Sequence, residues 1–415
     1  MNYLFAVLVA CCSVGFSQSV TVTVGEVLGD VPPYAITGHN HGVFMRVIEF
    51  EEDFAQLDIQ SLRYPPGNIA DEHPLNEMRI VDFGRQWQFL GRPPVMVVNN
   101  LFTGSAEEAA EAVLDFKEQG IPVLAFEVGN EPDLYGPNRA DSSWTPAKYC
   151  DEFRNFHAAI KEADPDALVA GPAVSGADIA EPYLKEFLNL CGDVVDILTW
   201  HIYPTDGSAD DETALASSAV ITETIRRYRK WLQDPDVNPL GYERDIDMGI
   251  TEFGLSWKTN RNRHLMDTVA TLWLADALGQ MIREQLDMSH YFALQGTGGH
   301  GLIDNADWRR PTYYLFEMLS SYSGKVLDVS SSDPLLKAYG VQTEVDTQLL
   351  LINMDTTQKK VILNLQGFET YNLSTLSDDT YEVYSDEVAY VTTSQPSTET
   401  IILAPRSVTL LRAIK

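Results

Sequence analysis

Basic side chains are scarce: 29 Lys and Arg stand against 60 Asp and Glu, a formal net charge of -31 with an isoelectric point near 4.4. Such a field repels nucleic acid and anionic membranes at long range, so neither is expected as a partner. Cysteine is sparse too, four in 415 residues, with two of them at positions 11 and 12. No His, Cys and Asp cluster has zinc-ligand spacing, so metallohydrolase chemistry gains no support. Cys150 and Cys191 are left either as one disulfide or as two buried thiols. No GxGxxG or Walker loop follows the first strand-like run, and no GxSxG elbow occurs. Dinucleotide, nucleotide and serine-esterase readings therefore lose their ground. Beyond the N-terminus no segment has 18 uninterrupted apolar residues, so no membrane span is expected.

The chain begins "MNYLFAVLVACCSVGFSQ", which is apolar, short and free of acidic residues. It reads as a signal peptide over residues 1–17, with Gly15 and Ser17 at the small-residue offsets of a cleavage site. No Lys or Arg precedes the apolar run, and "LVAC" offers the alternative of a lipid anchor at Cys11. Either way the expected location is secreted or extracytoplasmic, periplasmic or lipid-anchored sites included.

What fills the next 300 residues is a recurring unit: an apolar run, a loop rich in Gly, Pro or Asn, and a helical pattern. The apolar runs include "SLRYPPGN" (61–68), "PPVMVVNN" (93–100), "VLAFEVGNE" (123–131), "ALVAGPAV" (167–174), "VVDILTWHIYP" (194–204), "DIDMGITEFG" (245–254) and "MSHYFALQG" (288–296). The first run lies at "AITGHNH" (35–41) or just after it. Helical stretches separate them, one opening on Ser105 with Glu108 three residues on and stopping at Gly120, a capping box with a glycine end. Strands buried on both faces and alternating with helices imply a parallel sheet. Eight units fit a closed (β/α)8 TIM barrel, over residues 31–324, better than an open doubly wound sheet. From 325 to 415 the texture changes to short alternating runs such as "VILNLQG", "TIILAP" and "SVTLLRA", which read as a C-terminal β-sandwich domain. The early "SVTVTVGEV" alternates in the same way, so residues 18–30 are expected to supply a strand to that sandwich.

In a (β/α)8 barrel, side chains leave the packed interior at the C-terminal ends of the strands. Those ends carry Arg63 and Asn68, then Asn100, then Asn130 and Glu131, then His201 and Tyr203, then Glu252, and last Gln295 and His300. Glu131 and Glu252 end the fourth and seventh strands and should face each other across the mouth. Two carboxyls about 5–5.5 Å apart are what double-displacement glycoside hydrolysis uses. Glu252 is then the nucleophile, kept ionised by Tyr203 and Arg63. Glu131 is the acid/base, its pKa raised by burial and by repulsion from Glu252. Asn130 would donate to the sugar 2-hydroxyl. Either glutamate alone is more simply a loop-capping residue; the pair in Gly-flanked motifs carries the inference. Glu127 reads as structural, pointing the other way. Trp200 reads as barrel packing, and His201 equally as a structural histidine or a substrate contact.

At these residues the chain resembles the retaining glycoside hydrolases of clan A, whose acid/base motif is Asn-Glu-Pro after strand four, here Asn130-Glu131-Pro132. "EVGNEPDLYG", "WTPAKYCDEF", "SLRYPPGN", "LTWHIYP" and "GTGGHGLIDNADWRRPTYYLFEML" look most like family 79, the heparanase and β-glucuronidase group. The resemblance implies a barrel with a C-terminal sandwich, a supporting role for Tyr203, and no cofactor or metal. One stretch departs from it. The Gly-rich uronate loop of that group is replaced by "TEFGLSWKTNRNRH" (251–264), with Lys258, Arg261, Arg263 and His264. These four read either as an anion clamp or as charge that neutralises nearby acids. "RYPPGN" is also similar to the "RYPGGN" of α-L-arabinofuranosidases.

The expected activity is thus a retaining O-glycosyl hydrolase acting on an oligo- or polysaccharide, β-glucuronidase-like on a uronic-acid-containing or other anionic glycan. Alternatives are a clan A glycosidase on a neutral sugar, of α-L-arabinofuranosidase, β-xylosidase or galactosidase type, or a non-catalytic carbohydrate-binding protein.

Overall fold

A computed structural model describes residues 19–42, 47–176, 179–258, 265–296, 300–304, 306–365, 367–378 and 390–415. The leader, Cys11, Arg261, Arg263 and His264 lie outside the described residues.

Eight parallel strands close into a barrel: β2 (Gly38–Asn40), β3 (Ser61–Tyr64), β4 (Val95–Asn99), β5 (Val123–Val128), β6 (Val169–Val174), β7 (Ile197–Ile202), β8 (Asp247–Phe253) and β9 (Met288–Tyr291). His39 of β2 pairs with Tyr291 of β9 and seals the ring. Nearly every strand residue is buried, because each strand has helices outside it and packed side chains within. In the β7–β8 ladder His201 lies opposite Glu252, which sets those two side chains at one height.

The helices start and stop where their ends dictate. Helix Ala106–Glu118 opens on Ser105, whose hydroxyl accepts from the Glu108 N–H at 3.3 Å, and Gly120 ends it at φ 67°. Helix Pro146–Ala163 opens on Thr145 and buries Tyr149, Cys150, Phe153, Phe156 and Ile160, a stripe at i, i+3 and i+4 spacing. A disulfide joins Cys150 to Cys191 on the next helix, with 5.9 Å between their Cα atoms. Among the described residues no helix is long and apolar enough to cross a membrane.

Nine further strands among the described residues form one sheet. Its strands are β1 (Val20–Asp30), β12 (Lys325–Ser331), β13 (Leu336–Gln342), β14 (Asp346–Asn353), β15 (Lys359–Leu363), β16 (Thr370–Ser377), β17 (Val391–Pro396), β18 (Thr400–Leu403) and β19 (Ser407–Ile414). A short parallel pair, β10 (Gln295–Gly296) and β11 (Ile303–Asp304), precedes it. β1 runs antiparallel to β12 and parallel to β15, so the N-terminal strand sits inside the sheet. Alternate residues from both halves, among them Val22, Val329, Leu351, Leu363, Leu373 and Leu411, share one core. The sheet therefore curls over itself in sandwich fashion. Its other face, with Val326, Val341, Leu350 and Leu410, joins the barrel core.

Helix Thr268–Arg283 lies between barrel and sheet and is buried almost throughout. Gly279 permits the close approach: a Cβ there would fall 2.2 Å from the Tyr339 ring. The Tyr339 hydroxyl donates to Asp276 on that helix at 2.6 Å. The two bodies are thus joined by an apolar contact with the Tyr339–Asp276 bond buried inside it.

Candidate active site

The chain leaves β5 at Val128 and turns sharply. Gly129 takes φ 79° and a Cβ there would meet Leu101 at 2.8 Å, so only glycine fits. Glu131 itself is left-handed, at φ 51° and ψ 54°. A non-glycine residue in that region is strained by about 1–2 kcal/mol and needs its surroundings to hold it there. Three consecutive backbone N–H groups supply the hold, each donating to a different neighbour. Gly129 donates to the Asn99 carbonyl at 3.1 Å, Asn130 to Asp71 Oδ2 at 3.1 Å, and Glu131 to the Ala173 carbonyl at 3.0 Å. Pro132 opens the next turn, where its missing N–H costs nothing.

Glu252 comes up on β8, one residue before the strand ends, and three donors converge on its carboxylate. Arg63 Nη1 donates to Oε1 at 2.6 Å, the Gly67 N–H donates to the same oxygen at 3.1 Å, and the Tyr203 hydroxyl donates to Oε2 at 3.0 Å. Arg63 is wholly buried. Its other donors reach Glu127 Oε2 at 2.6 Å, Asn40 Oδ1 at 3.1 Å and Asn130 Oδ1 at 3.0 Å. Burial alone would lower its pKa, but the carboxylates of Glu127 and Glu252 outweigh that and raise it. Thr251 donates to the second oxygen of Glu127 at 2.8 Å. Glu127 is therefore structural as expected, yet it points into the barrel toward the site rather than away from it.

Glu131 has a sparser environment. Its Oε1 lies 3.0 Å from His201 Nδ1, and the same nitrogen is 3.9 Å from Glu252 Oε2. One atom from each of Glu131, His201 and Glu252 falls within 4.8 Å of the others. Burial pushes the Glu131 carboxyl up to about 7, against the opposing pull of Arg63. Burial rather than the repulsion from Glu252 expected from the sequence is what raises it. His201 is fully buried, its pKa lowered by that burial, so it is a neutral ring at pH 7. The three residues could offer ligand atoms to a cation, but both oxygens of Glu252 are already engaged by a guanidinium, an amide and a hydroxyl. A donor set in that state is suited to organic chemistry more than to ion ligation.

The remaining sequence-predicted residues divide. Asn130 stands beside Glu131, its carbonyl oxygen turned to Arg63. His300 is near, its ring 6.4 Å from Tyr203 and 5.4 Å from Phe292, with burial lowering its pKa to about 4. Asn68 is exposed on the rim, its side chain accepting from Arg139 at 3.4 Å. Asn100 is turned onto its own loop: its amide donates to Thr103 at 2.8 Å and its carbonyl oxygen accepts the Thr103 N–H at 3.0 Å. Gln295 is buried and donates to the Asp304 carbonyl at 3.4 Å. Lys258 donates to Asp206 at 3.2 Å, with its ammonium 4.6 Å from the Trp257 ring centre. That partner neutralises the one described member of the basic loop. Trp200 is fully buried against Tyr228, as packing. Sequence reasoning missed Gly67, whose N–H reaches Glu252, and Asp71. A cleft of about 760 Å³ lies elsewhere, between the barrel helices and the sheet, and neither glutamate lines it.

A (β/α)8 barrel carrying two facing glutamates on strands four and seven defines a class, the clan A glycosidase architecture. Residues 118–349 match glycosyl hydrolases family 39, and the chain belongs to that family. Among characterised proteins it is 27% identical over 265 residues to a β-xylosidase of Caldicellulosiruptor saccharolyticus, covering 57% of this chain and 51% of that one. It is 26% identical over 236 residues to the heparanase of Bos taurus, covering 54% and 41%. The chain thus spans about half the length of the curated relatives it matches. Its fold is like that of an α-L-arabinofuranosidase from Thermotoga maritima, with a TM-score of 0.76, 17% identity, and coverage of 96% of this chain and 100% of that one. A likeness at that identity speaks to fold alone.

Proposed function

We propose that this protein hydrolyses O-glycosides with retention of anomeric configuration. The observation that carries the reading is the pair Glu131 and Glu252, with carboxylate oxygens within 4.8 Å across the barrel mouth. That distance suits a nucleophile and an acid/base, and it leaves no room for the water that an inverting mechanism places between them. Glu252, held by Arg63, Gly67 and Tyr203, attacks the anomeric carbon. Glu131, its carboxyl pushed by burial up to about 7, gives its proton to the departing oxygen. The glycosyl ester on Glu252 is then cleaved by a water that Glu131 deprotonates, which restores both groups. The amide nitrogen of Asn130 donates to the 2-hydroxyl as positive charge develops on the ring. Arg63, Glu127 and Glu252 together carry one net negative charge beneath that cation.

Within this class a neutral sugar of the xylose or arabinose type fits best. Support comes from the family 39 match, the β-xylosidase relative, and Lys258 already paired with Asp206. A second reading, the uronate glycoside and kinship with family 79, rests on the heparanase likeness and on Arg261. The Cys150–Cys191 bridge fits a secreted or extracytoplasmic protein.

The test is a panel of aryl β-xyloside, α-L-arabinofuranoside, β-galactoside and β-glucuronide, with wild type and Glu252→Ala. A 2-deoxy-2-fluoro glycoside of the best substrate should leave a sugar covalently attached at Glu252 by peptide mass mapping. Turnover with inverted product, or a label on any other residue, would sink the retaining mechanism. No turnover of any glycoside would leave the binding-protein alternative standing.

A further inference from the structure

We infer that Asp71 is a positioning residue for Glu131, acting through the backbone of Asn130; the inference rests on the acid/base role proposed above. Asp71 lies in the helical turn Ile69–Glu72 after β3, fully buried, far in sequence from either glutamate. Its carboxylate gathers three loops. Oδ1 accepts the Leu101 N–H at 3.1 Å, from the loop after β4. Oδ2 accepts the Asn130 N–H at 3.1 Å and the Tyr135 hydroxyl at 2.6 Å, both from the segment after β5. Arg139 Nη2 stands 3.9 Å from Oδ2.

Of the three N–H groups that pin the Gly129–Glu131 turn, two go to strand-end carbonyls that the barrel itself fixes. The third goes to this side chain. A left-handed Glu131 persists only while its surroundings over-determine it. The Asn130 bond also fixes the residue whose side chain meets Arg63. Without Asp71 the turn keeps two of its three pins. Glu131 can then relax away from His201 and from the oxygen it must protonate, and a displacement of about 1 Å at such a group costs on the order of 10²-fold.

The experiment measures kcat/KM for wild type and Asp71→Asn on two aryl glycosides of the preferred sugar, one with phenol and one with 2,4-dinitrophenol as leaving group. Phenol needs the Glu131 proton to depart; dinitrophenol does not. Asn keeps the shape but has one oxygen acceptor where the carboxylate has two, so it cannot serve Leu101, Asn130 and Tyr135 together. The expected result is a fall of roughly 30- to 100-fold with phenol and under about 3-fold with dinitrophenol. A fold-wide weakening would lower both equally, and that result, or no fall with either, overturns the inference. If Asp71→Asn does not fold, Tyr135→Phe is read in the same way: a smaller fall confined to phenol supports it, and an equal fall or none overturns it. A wild type inert on every glycoside defeats the glycosidase reading itself and is told apart on the first measurement.

Discussion

The ends of β5 and β8 carry the same side chain and treat it in opposite ways. At Glu252 a guanidinium, a backbone amide and a phenol converge on one carboxylate, all within 3.1 Å. At Glu131, among the described residues, a single neutral imidazole nitrogen approaches, and the backbone rather than the side chain is what the neighbours hold. The first environment suits a group that stays charged. The second suits a group that gains and loses a proton, since His201 Nδ1 can donate to a carboxylate or accept from a carboxylic acid according to its tautomer. Two identical residues thus receive different chemistry from what surrounds them.

Removing the charged member should cost most. On the proposed mechanism Glu252→Gln keeps the shape but cannot attack the anomeric carbon, and should lower kcat by about 10⁴-fold or more on every substrate. Equal activity of this variant and wild type on the best aryl glycoside would refute the assignment. Arg63→Met comes next, because it strands Glu127 and Glu252 in the interior. Breaking such a buried pair costs roughly 3–5 kcal/mol. Urea unfolding should show that loss, and Glu127→Gln in the same chain should restore part of it.

Glu131→Gln probes the other side of the comparison. Substrates with poor leaving groups should lose about 10²- to 10³-fold, activated ones far less. The wild-type kcat/KM should fall as pH rises through about 7, where the acid loses its proton, and the variant should lack that limb. The sign for stability is the reverse of a paired carboxylate. A folded pKa near 7, above the ordinary 4.5, means the folded state binds the proton more tightly. The penalty is absent below pH 4.5 and complete above 7, so Glu131→Gln should be more stable than wild type at pH 8 by up to about 3 kcal/mol and equal to it at pH 4. Chemical denaturation at the two pH values checks this; an equal or less stable variant at pH 8 would show that burial does not raise this carboxyl.

Both glutamates were legible because each ends an apolar run in a motif where glycine or proline stops the strand. The barrel was legible from the alternation of runs and helices, and β1 from its two-residue period. What supports the glutamates was not. Asp71 sits in an unremarkable helical turn, and its partners Leu101, Asn130 and Tyr135 come together only when three loops close. Gly67 acts through its N–H, which no residue type advertises. Glu127 reads as pointing the other way, and only the closed barrel shows it meeting Arg63 in the interior beside the site. Lys258 reads equally as part of an anion clamp or as charge for a nearby acid, and only the fold supplies that acid, Asp206 in the loop after β7. Motifs single out the two glutamates; contacts distant in sequence hold them, and those emerge only from the fold.

Tyr203→Phe should have the smallest effect and the most particular one. Its hydroxyl donates to Glu252 Oε2 at 3.0 Å, while Arg63 and Gly67 both serve Oε1. Losing it leaves one oxygen of the carboxylate without its phenol donor. Before attack that oxygen is more basic, so bond formation to the anomeric carbon is scarcely slowed. Departure is another matter, since negative charge must return to Glu252 as the glycosyl ester breaks and the phenol is no longer there to receive it. A hydrogen bond to a charged group contributes about 1.5–3 kcal/mol, part of which Arg63 can make up. On a dinitrophenyl glycoside kcat should therefore fall about tenfold with KM falling alongside it, kcat/KM nearly constant, and a burst of dinitrophenol as the ester accumulates. A fall in kcat/KM with KM unchanged would instead place Tyr203 in the first step, and the division of labour around Glu252 would have to be redrawn.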